Sequence, residues 1–521
     1  MKIITAREAA DLVKDGDTVG CQGIIATSIP QSLLNGLRDR YLETQSPKKI
    51  RLFYESGIGD NGEWGMNALA GEGMDGLIGE LHTSHVGTTP KMKARVDANE
   101  FPCYMVPQGV NSQILRALAG KKPGVFTTVG LQTYADPRVE GCKANQAAKE
   151  AGKEIVEVVE FDGEEYLRYK TQPINVAFVR GTCSDTIGNI TQTKEAIEMD
   201  AFEMACAAHN SGGIVIAQVE RVVERGNLKA HDVVIPSSLI DYVVIADKDG
   251  HRQCLADAEY FAERSGEYRV PAGSYTPQGL SERKVCGRRA AAVIPKGAHV
   301  NLGIGMPEMV SDVAAEEGFS DDIVLSIEAG IFGGIPLGGM RICCAVNPEA
   351  IIPHINTFDI YDGGGIDVAV LGAAEVDSHG NVNVSKFGGK ITGPGGFVNI
   401  TQSTDVVCFV GTFLAGGNKF NIGDGKLEIL QQGRAIKYKK DVEQITFSGD
   451  FARKHGKTVY YISERAVFKM EPEGMTLIEI APGVDLEKDI LAYMEFTPVI
   501  SKDLKEMDPK IFTAGPMGMT K

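Results

Sequence analysis

The feature that most constrains the fold of this chain is an internal repeat that keeps its order. Residues 6–34 have the pattern of a helix, a turn, a strand, a glycine loop and a second helix, and residues 288–310 show the same arrangement. Further along, Leu52–Gly57 in the first half corresponds to Leu325–Gly330 in the second, so both halves carry a glutamate at one position. Such a repeat predicts two units built on one plan.

A third set of matches extends the repeat. Ile174–Ala177 corresponds to Ile366–Ala369, and Gly188–Ile190 corresponds to Gly380–Val382. The interval between the glutamate and these matches is longer in the first half, and the additional residues include Val106–Gly109. We therefore expect the first half to carry an insertion that the second half lacks.

Apolar runs rich in β-branched residues alternate with helical patterns in both halves. The clearest of these runs are Ile214–Ala217, Tyr242–Ala246, Val368–Leu371 and Val406–Val410. This alternation favours an α/β fold with a largely parallel, open sheet in each half. Two homologous α/β domains of this kind are expected to pack face to face, with the active site in the cleft between them.

The chain length supports the same division. At about 150 residues per domain, 521 residues predict two to four domains. Pro271, Gly273, Pro277 and Gly279 interrupt any periodicity between the halves. We predict an N-terminal domain at 1–270, a linker at 271–284 and a C-terminal domain at 285–521.

Composition excludes several classes of function. A net charge of −16 without a run of Lys and Arg argues against a nucleic-acid partner. No apolar run approaches the roughly 18 residues that a membrane-spanning helix needs, and residues 1–8 lack the apolar stretch of a signal peptide. We therefore expect a cytoplasmic protein without a membrane partner.

The ten cysteines point to neither a disulfide framework nor a metal site. There is no Cys-x-x-Cys pair, and the one adjacent pair is Cys343 and Cys344. In a chain of this length, such scattered cysteines are expected to be reduced and mostly buried thiols.

Glu328 is the leading candidate for chemistry. The apolar run Ile323–Leu325 predicts a buried strand before it, and the glycines after it indicate a sharp turn. In open α/β sheets ligands bind at the carboxyl ends of strands, and small neighbours leave room for a reacting group. Taken alone, this segment is better explained by an idle carboxylate at a strand end, and the internal repeat and the family resemblance described below reverse that preference.

Two glycine-containing loops are candidates for ligand binding. Gly303-Ile304-Gly305-Met306-Pro307 precedes a helical pattern, with Pro307 near the first turn, and such a turn can hold an anion on free backbone N–H groups. A dinucleotide fingerprint is disfavoured there because its third glycine is missing. Gly395 and Gly396 form the second loop, which can equally be a tight turn.

The order of several motifs resembles the family I coenzyme A transferases, and most closely the single-chain acetate/propionate enzymes of fermenting bacteria. The resemblance covers nearly the whole chain and is carried by six segments: Asn301–Pro307, Ser326–Gly330, Val106–Gly109, Tyr361–Gly365, Gly393–Ile400 and Glu443–Phe447. One departure is Ile327-Glu328-Ala329-Gly330, where the wider family has Ser-Glu-Asn-Gly. That departure concerns the choice of substrate more than the mechanism.

The resemblance implies a NagB/RpiA/CoA-transferase-like fold and a CoA-transferase activity acting on acyl-CoA and short-chain carboxylates. It implies Glu328 as the nucleophile, which would pass through an acyl-glutamyl anhydride and a glutamyl-CoA thioester in ping-pong fashion. Coenzyme A would be substrate and covalent intermediate, with no permanently bound cofactor and no metal. The resemblance also implies a homo-oligomer, a tetramer by analogy.

The same resemblance suggests roles for other residues. Gln108 corresponds to the side-chain donor to the oxyanion, and Gly396 to the backbone donor, while Gly395 and residues 303–307 line the CoA site. Lys419 is a candidate for a CoA phosphate, although a lone lysine is usually a solvated charge. From the residues alone, Gln108 is also explained as a turn residue beside Pro107.

Some alternatives stay open at this stage. Glu55 has a setting that matches that of Glu328, and it can be a relic of duplication or a residue of the cleft. His379, in the turn Asp377–Gly380, is better explained as a turn residue than as a general base. An acyl-CoA hydrolase on the same scaffold and a non-catalytic small-molecule sensor are the rival functions, and the preferred acyl group is undetermined.

Overall fold

The computed structural model describes residues 1–271 and 276–521, so residues 272–275 of the predicted linker, including Gly273, lie outside the described residues. The chain divides into two compact units. The first comprises residues 1–270, 327–359 and 389–399, and the second comprises residues 271–326, 360–388 and 400–521. A helix that begins at Glu282 occupies the last part of the predicted linker. The boundaries 1–270, 271–284 and 285–521 stay a prediction about the two halves.

The first unit is built on a sheet of eight strands, all parallel. Their order in the sheet is Lys2–Ile3, Tyr242–Ile245, Ile214–Val219, Val176–Arg180, Thr18–Cys21, Ile50–Phe53, Ile78–Thr83 and Cys103–Met105. The smaller strands of this unit are Val125–Thr127, Val156–Phe161, Glu164–Tyr169, Cys183–Asp185, Ile190–Thr191, Arg221–Val223, Val233–Ile235, Ile331–Phe332, Ile335–Pro336, Ala345–Val346 and Ala350–Ile351. The apolar runs predicted as strands in this half are therefore confirmed.

The second unit contains the strands Val324–Ile327, His299–Leu302, Val368–Gly372, Val406–Val410, Thr458–Ile462, Ala466–Glu471, Gly474–Ile480 and Val499–Glu506, in that order. The first five are parallel to one another, whereas Ala466–Glu471 is antiparallel to both of its neighbours. Smaller strands of this unit lie at Glu375–Val376, Val382–Asn383, Lys386–Phe387, Leu414–Ala415, Lys419–Gly423, Lys426–Gln431 and Ala435–Ile436, whereas the short strand Lys390–Ile391 belongs to the first unit. The α/β prediction with parallel sheets is confirmed in both units.

The α-helices are Ala6–Asp11, Gln31–Thr44, Pro90–Asp97, Gln108–Ala119, Gln146–Ala151, Ala201–Asn210, Glu282–Ala291, Met309–Glu317, His354–Asp362, Phe397–Ser403 and Gly449–Lys454. Among the described residues, no helix is both long and apolar enough to cross a bilayer. All ten cysteines are free and nine of them are buried, as the sequence predicts.

The internal repeat is visible in the strand order. Five strands of each main sheet occupy equivalent positions, taken in chain order. In the first unit they begin at Thr18, Ile50, Val176, Ile214 and Tyr242, and in the second they begin at His299, Val324, Val368, Val406 and Thr458. The insertion predicted in the first half forms Ile78–Thr83 and Cys103–Met105, which extend the parallel sheet beyond the strand Ile50–Phe53. The insertion thereby supplies the strand that precedes Gln108.

A pair of equivalent turns confirms the third match. Asp185 Oδ1 accepts the backbone N–H of Asn189 at 2.9 Å, and its Oδ2 accepts the Asn189 side chain at 2.8 Å. Asp377 holds Asn381 in the same way, at 3.0 Å for both bonds. His379 lies in the second of these turns and is exposed, in agreement with its prediction as a turn residue.

Candidate active site

The carboxyl ends of three neighbouring parallel strands in the first unit form the candidate active site. Glu55 follows the strand Ile50–Phe53, Ser84 follows Ile78–Thr83, and Gln108 follows Cys103–Met105. Because the carboxyl ends of parallel strands lie on the same side of a sheet, these residues lie close to one another. Open α/β sheets bind their ligands at these carboxyl ends.

Gln108 is the first residue of the helix Gln108–Ala119 and is 1% exposed. Its backbone N–H donates to the Gly395 carbonyl at 3.1 Å, which fixes it against the Gly395–Gly396 loop. Its Nε2 lies 2.9 Å from Nε2 of His354. The structure thus brings Gln108 and Gly395, both predicted from the sequence, into direct contact.

Gly109 shows why a glycine follows Gln108. A Cβ at Gly109 would lie 2.4 Å from Cδ1 of Phe358 and 2.6 Å from Nδ2 of Asn399, distances that side-chain carbons do not adopt. The backbone N–H of Gly109 donates to Oδ1 of Asn399 at 3.1 Å. This close approach holds the start of the Gln108 helix in place.

The Gly395–Gly396 loop is hydrogen-bonded to the carboxyl end of the same sheet. Gly395 has a φ of +58°, in the left-handed region, and its N–H donates to the Ser84 carbonyl at 3.1 Å. Gly396 is buried and directly precedes the helix Phe397–Ser403. The first N–H groups of a helix have no partner within that helix, so the peptide of Gly396 is suited to donate to a ligand.

Glu328 directly follows the strand Val324–Ile327, as predicted. The prediction of a fully buried strand was wrong in part, because Val324 at its start is 44% exposed. A turn follows Glu328: Gly330 has a φ of +107°, and a Cβ there would lie 2.1 Å from the Ile352 carbonyl oxygen. Only glycine therefore fits two residues after this glutamate.

Glu328 belongs to the first compact unit and is partly exposed. Its surroundings raise the pKa of Glu328 above the ordinary value of 4.5, mainly through burial, while a hydrogen bond from its own backbone acts in the opposite direction. Conversely, the charge of Glu328 contributes to the raised pKa of Cys343, although burial is the larger cause. Glu328 therefore lies near Cys343 and within reach of solvent, and the turn after it is bonded to Ile352, two residues before His354, through the Ile352 N–H and the Gly330 carbonyl at 2.9 Å.

Glu55 differs from Glu328 although their sequence settings match. Glu55 is 0% exposed, and within the described residues neither of its carboxyl oxygens has a hydrogen-bond partner. Burial, followed by the charge of Asp200, raises the pKa of Glu55 well above its ordinary value. Both effects favour the neutral form of this enclosed acid.

The predicted anion loop, residues 303–307, belongs to the second unit. A Cβ at Gly303 would lie 2.9 Å from Cδ2 of Leu371, and Ile304 is 62% exposed. The following helix begins at Met309, so Pro307 lies in the turn before the helix rather than in its first turn. The turn bonds from Met309 to Met306 and from Val310 to Pro307 delay the start of the helix.

Lys419 also belongs to the second unit, where it is the exposed first residue of the hairpin strand Lys419–Gly423. Its position is that of an ordinary surface lysine, and its suggested role at a CoA phosphate stays a prediction.

Sequence reasoning missed His354 and Asp200, which meet at the centre of the site. Both side chains are 0% exposed, and Nδ1 of His354 lies 2.9 Å from Oδ2 of Asp200. The two residues are 154 positions apart, and nothing in their spacing indicates contact. The available signals were local: each residue stands where a helix starts, which says nothing about its partner.

Comparisons with known proteins identify the family of this chain. A family model described as coenzyme A transferase matches residues 3–246. A caffeate CoA-transferase of Acetobacterium woodii is 46% identical over 518 residues, covering 98% of this chain and 97% of that protein. The acetate CoA-transferase YdiF of Escherichia coli O157:H7 is 41% identical over 519 residues, covering 99% of this chain and 96% of that protein.

The fold comparison gives the same answer. A crystal structure of the acyl-CoA transferase YdiF from Escherichia coli O157:H7, described as a thioester complex with CoA, matches with a TM-score of 0.93 and 40% identity. It covers 100% of this chain and 97% of the matched chain. This chain is therefore an enzyme of the transferase class. More particularly, it belongs to the coenzyme A transferase family, and the resemblance to its single-chain members is confirmed.

Proposed function

We propose that this enzyme transfers CoA between short-chain acyl-CoA and carboxylates of the acetate and propionate type, with Glu328 as the nucleophile. The observation that carries the proposal is the convergence of Glu328 and Gln108 on His354. Gln108 lies 2.9 Å from that ring, and the turn after Glu328 is bonded to the same segment, because the N–H of Ile352, two residues before His354, donates to the Gly330 carbonyl at 2.9 Å. A carboxylate beside an amide donor is the pair that acyl transfer through an anhydride requires.

The proposed reaction has two symmetrical halves. A carboxylate oxygen of Glu328 attacks the thioester carbonyl of acyl-CoA, the C–S bond breaks, and CoA leaves as its thiolate. The thiolate then attacks the glutamyl carbonyl of the mixed anhydride, which releases the first carboxylate and leaves a glutamyl-CoA thioester. A second carboxylate runs these steps in reverse, departs as its CoA ester and restores Glu328.

The surroundings of Glu328 support this role. Partial enclosure raises its pKa, and a more basic carboxylate is a stronger nucleophile once it is ionised. Glu55 is a poorer candidate, because its side chain is fully enclosed and its raised pKa favours the neutral form, which is the weaker nucleophile. Exposure and charge therefore favour Glu328 over its repeat partner.

The oxyanion of each tetrahedral intermediate needs preorganised donors. We assign this task to the amide of Gln108 and the peptide N–H of Gly396, since Gly395 holds both residues at one sheet edge. Loss of one such donor typically lowers kcat about a hundred- to a thousandfold. The roles in binding coenzyme A suggested for residues 303–307, for Gly395 and for Lys419 follow from the resemblance alone.

The test uses acyl-CoA without an acceptor. Incubation with acetyl-CoA, reduction with borohydride and peptide mapping by mass spectrometry should place the modification on Glu328. Glu55→Gln is the matched control and should still be labelled at Glu328, whereas Glu328→Gln should not be labelled. Labelling at Glu55, or rapid release of free CoA without any acceptor, would overturn the proposal, and the second result would favour the hydrolase.

The acyl group is the finer part of the proposal. The two relatives named above act, by their names, on caffeate and on acetate. We propose acetate and propionate, and we expect kcat/KM to fall across a graded series from acetate and propionate to longer and aromatic acids. A higher value for caffeate than for acetate would overturn this choice.

The remaining predictions concern the setting of the enzyme. A cytoplasmic location, a role in short-chain acid metabolism during fermentation and a homotetramer all follow from the resemblance. Light scattering on the purified full chain would test the tetramer directly.

A further inference from the structure

His354 has a fully buried side chain to which the reaction proposed above assigns no role. The ring makes three polar contacts: Nδ1 lies 2.9 Å from Oδ2 of Asp200 and 2.8 Å from Oγ of Ser112, and Nε2 lies 2.9 Å from Nε2 of Gln108. The side chains of His354, Asp200 and Ser112 are 0% exposed. Burying so many polar groups is costly unless each is satisfied, so their arrangement is specific.

The partners determine where the proton of His354 lies. An ionised carboxylate only accepts hydrogen bonds, so Nδ1 facing Asp200 carries the hydrogen. Gln108 presents its Nε2, which only donates, so Nε2 of the ring must be the acceptor. The two contacts together correspond to one neutral tautomer of His354 and one orientation of the Gln108 amide.

The ring itself is held by the backbone around it. The N–H of His354 donates to the Glu198 carbonyl at 2.9 Å, and the N–H of Ile355 donates to Oδ1 of Asp200 at 2.9 Å. Phe358 packs edge-on against the ring at 5.0 Å between centroids. Asp200 is likewise fixed, because it directly precedes the helix Ala201–Asn210.

The amide nitrogen of Gln108 carries two hydrogens, and Nε2 of His354 accepts a hydrogen bond from one of them. The orientation of the amide plane then determines where the second hydrogen points. An oxyanion donor is effective only if it already points to the position where charge develops. A glutamine whose amide group rotated freely would lose this advantage.

We propose that His354, held by Asp200, is a positioning residue that orients the amide of Gln108 for the oxyanion of the tetrahedral intermediates. The inference rests on the proposed function, because it takes Gln108 as the oxyanion donor. His354 itself exchanges no proton with substrate in this role. Its effect is expected on kcat rather than on the KM for acyl-CoA.

Two substitutions test separately the contacts of Nδ1 and of Nε2 of His354. His354→Gln retains an amide oxygen near the position of Nε2 that can accept from Gln108, whereas His354→Asn retains an amide nitrogen near Nδ1 that can donate to Asp200. We expect His354→Asn to lower kcat about 10- to 100-fold, since small misplacements have effects of that size, with KM changed less than threefold. His354→Gln should retain much more activity than His354→Asn.

The decisive measurement is a double-mutant cycle with Gln108→Ala. If His354 acts through Gln108, His354→Asn should lower kcat less than about threefold in the Gln108→Ala enzyme, because coupled residues are not additive. Independent, multiplicative effects would overturn the inference, as would equal kcat values for the two His354 variants. If His354→Asn does not fold, the cycle with Gln108→Ala is run with Asp200→Asn, whose amide nitrogen facing Nδ1 of His354 cannot accept its hydrogen, and multiplicative effects there have the same consequence.

The labelling experiment keeps this test separate from that of the proposed function. Wild-type enzyme labelled at Glu328 together with a multiplicative cycle would remove only the role of His354. An unlabelled Glu328 would remove the proposed function and the inference with it.

Discussion

Glu55 and Glu328 follow equivalent strands of the two halves, yet one is enclosed and the other is reachable. Glu55 is 0% exposed with both carboxyl oxygens unpaired among the described residues, while Glu328 is partly exposed. Burial raises the pKa of both carboxyl groups, and the charge of Asp200 raises that of Glu55 further. Duplication of one local sequence has thus produced two carboxyl groups with different chemistry.

The first prediction concerns the nucleophile. Glu328→Gln should lower kcat for CoA transfer by about a thousandfold or more, because an amide cannot form the anhydride. The variant should be assayed fresh and its mass checked, since slow deamidation would restore the acid. Glu55→Gln is the control and should stay within about threefold of wild type; a large loss there with little loss for Glu328→Gln would contradict the assignment.

The second prediction concerns the pH dependence of the rate. Glu328 attacks as a carboxylate, so kcat/KM for acetyl-CoA should be level at high pH and fall about tenfold per pH unit below the raised pKa. The midpoint should lie above the ordinary value of 4.5, in the direction that burial shifts this pKa. Glu55→Gln should show the same profile. A midpoint at or below 4.5 in the pH profile would contradict the raised pKa.

The third prediction concerns the effect of Glu55 on stability. Its folded pKa is raised above 4.5, so the unfolded chain loses this proton at lower pH than the folded protein does. The stability that the protonated acid contributes is present at low pH and is lost as the pH rises from about 4.5 through the folded pKa, by up to about 1.4 kcal/mol per pH unit.

Glu55→Gln removes this titration, so its melting temperature should exceed that of wild type by an amount that grows with pH over this window. Scanning calorimetry of both proteins at matched pH values would measure the difference. A difference that stays constant with pH would show that Glu55 is not the titrating group.

The fourth prediction concerns the packing next to Gln108. Gly109→Ala would place a methyl group 2.4 Å from Cδ1 of Phe358, and relief of such an overlap typically costs about 1–3 kcal/mol of stability. Because the shift would displace Gln108, kcat should fall as well. Gly423→Ala is the control, since a Cβ there meets nothing within 4 Å, and it should leave activity and melting temperature nearly unchanged.

Much of this organisation was determined by the sequence alone. The repeat, the parallel α/β units, the glutamate after the strand Val324–Ile327 and the buried free cysteines all follow from local periodicity and order. Local patterns carry this information because strand and helix periods are properties of short segments. The start of the helix at Met309 was harder to predict from the sequence, because two turn bonds compete with the first helical bonds.

Only the tertiary structure decided which side chains meet and which are enclosed. Gln108 and His354 are 246 positions apart, and Asp200 reaches the same ring from a third segment. The burial of Glu55 likewise depends on side chains supplied by distant segments, so its matching local sequence could not distinguish it from Glu328. Contact and desolvation are sums over the surrounding fold, whereas a sequence pattern describes only the direction and period of its own segment.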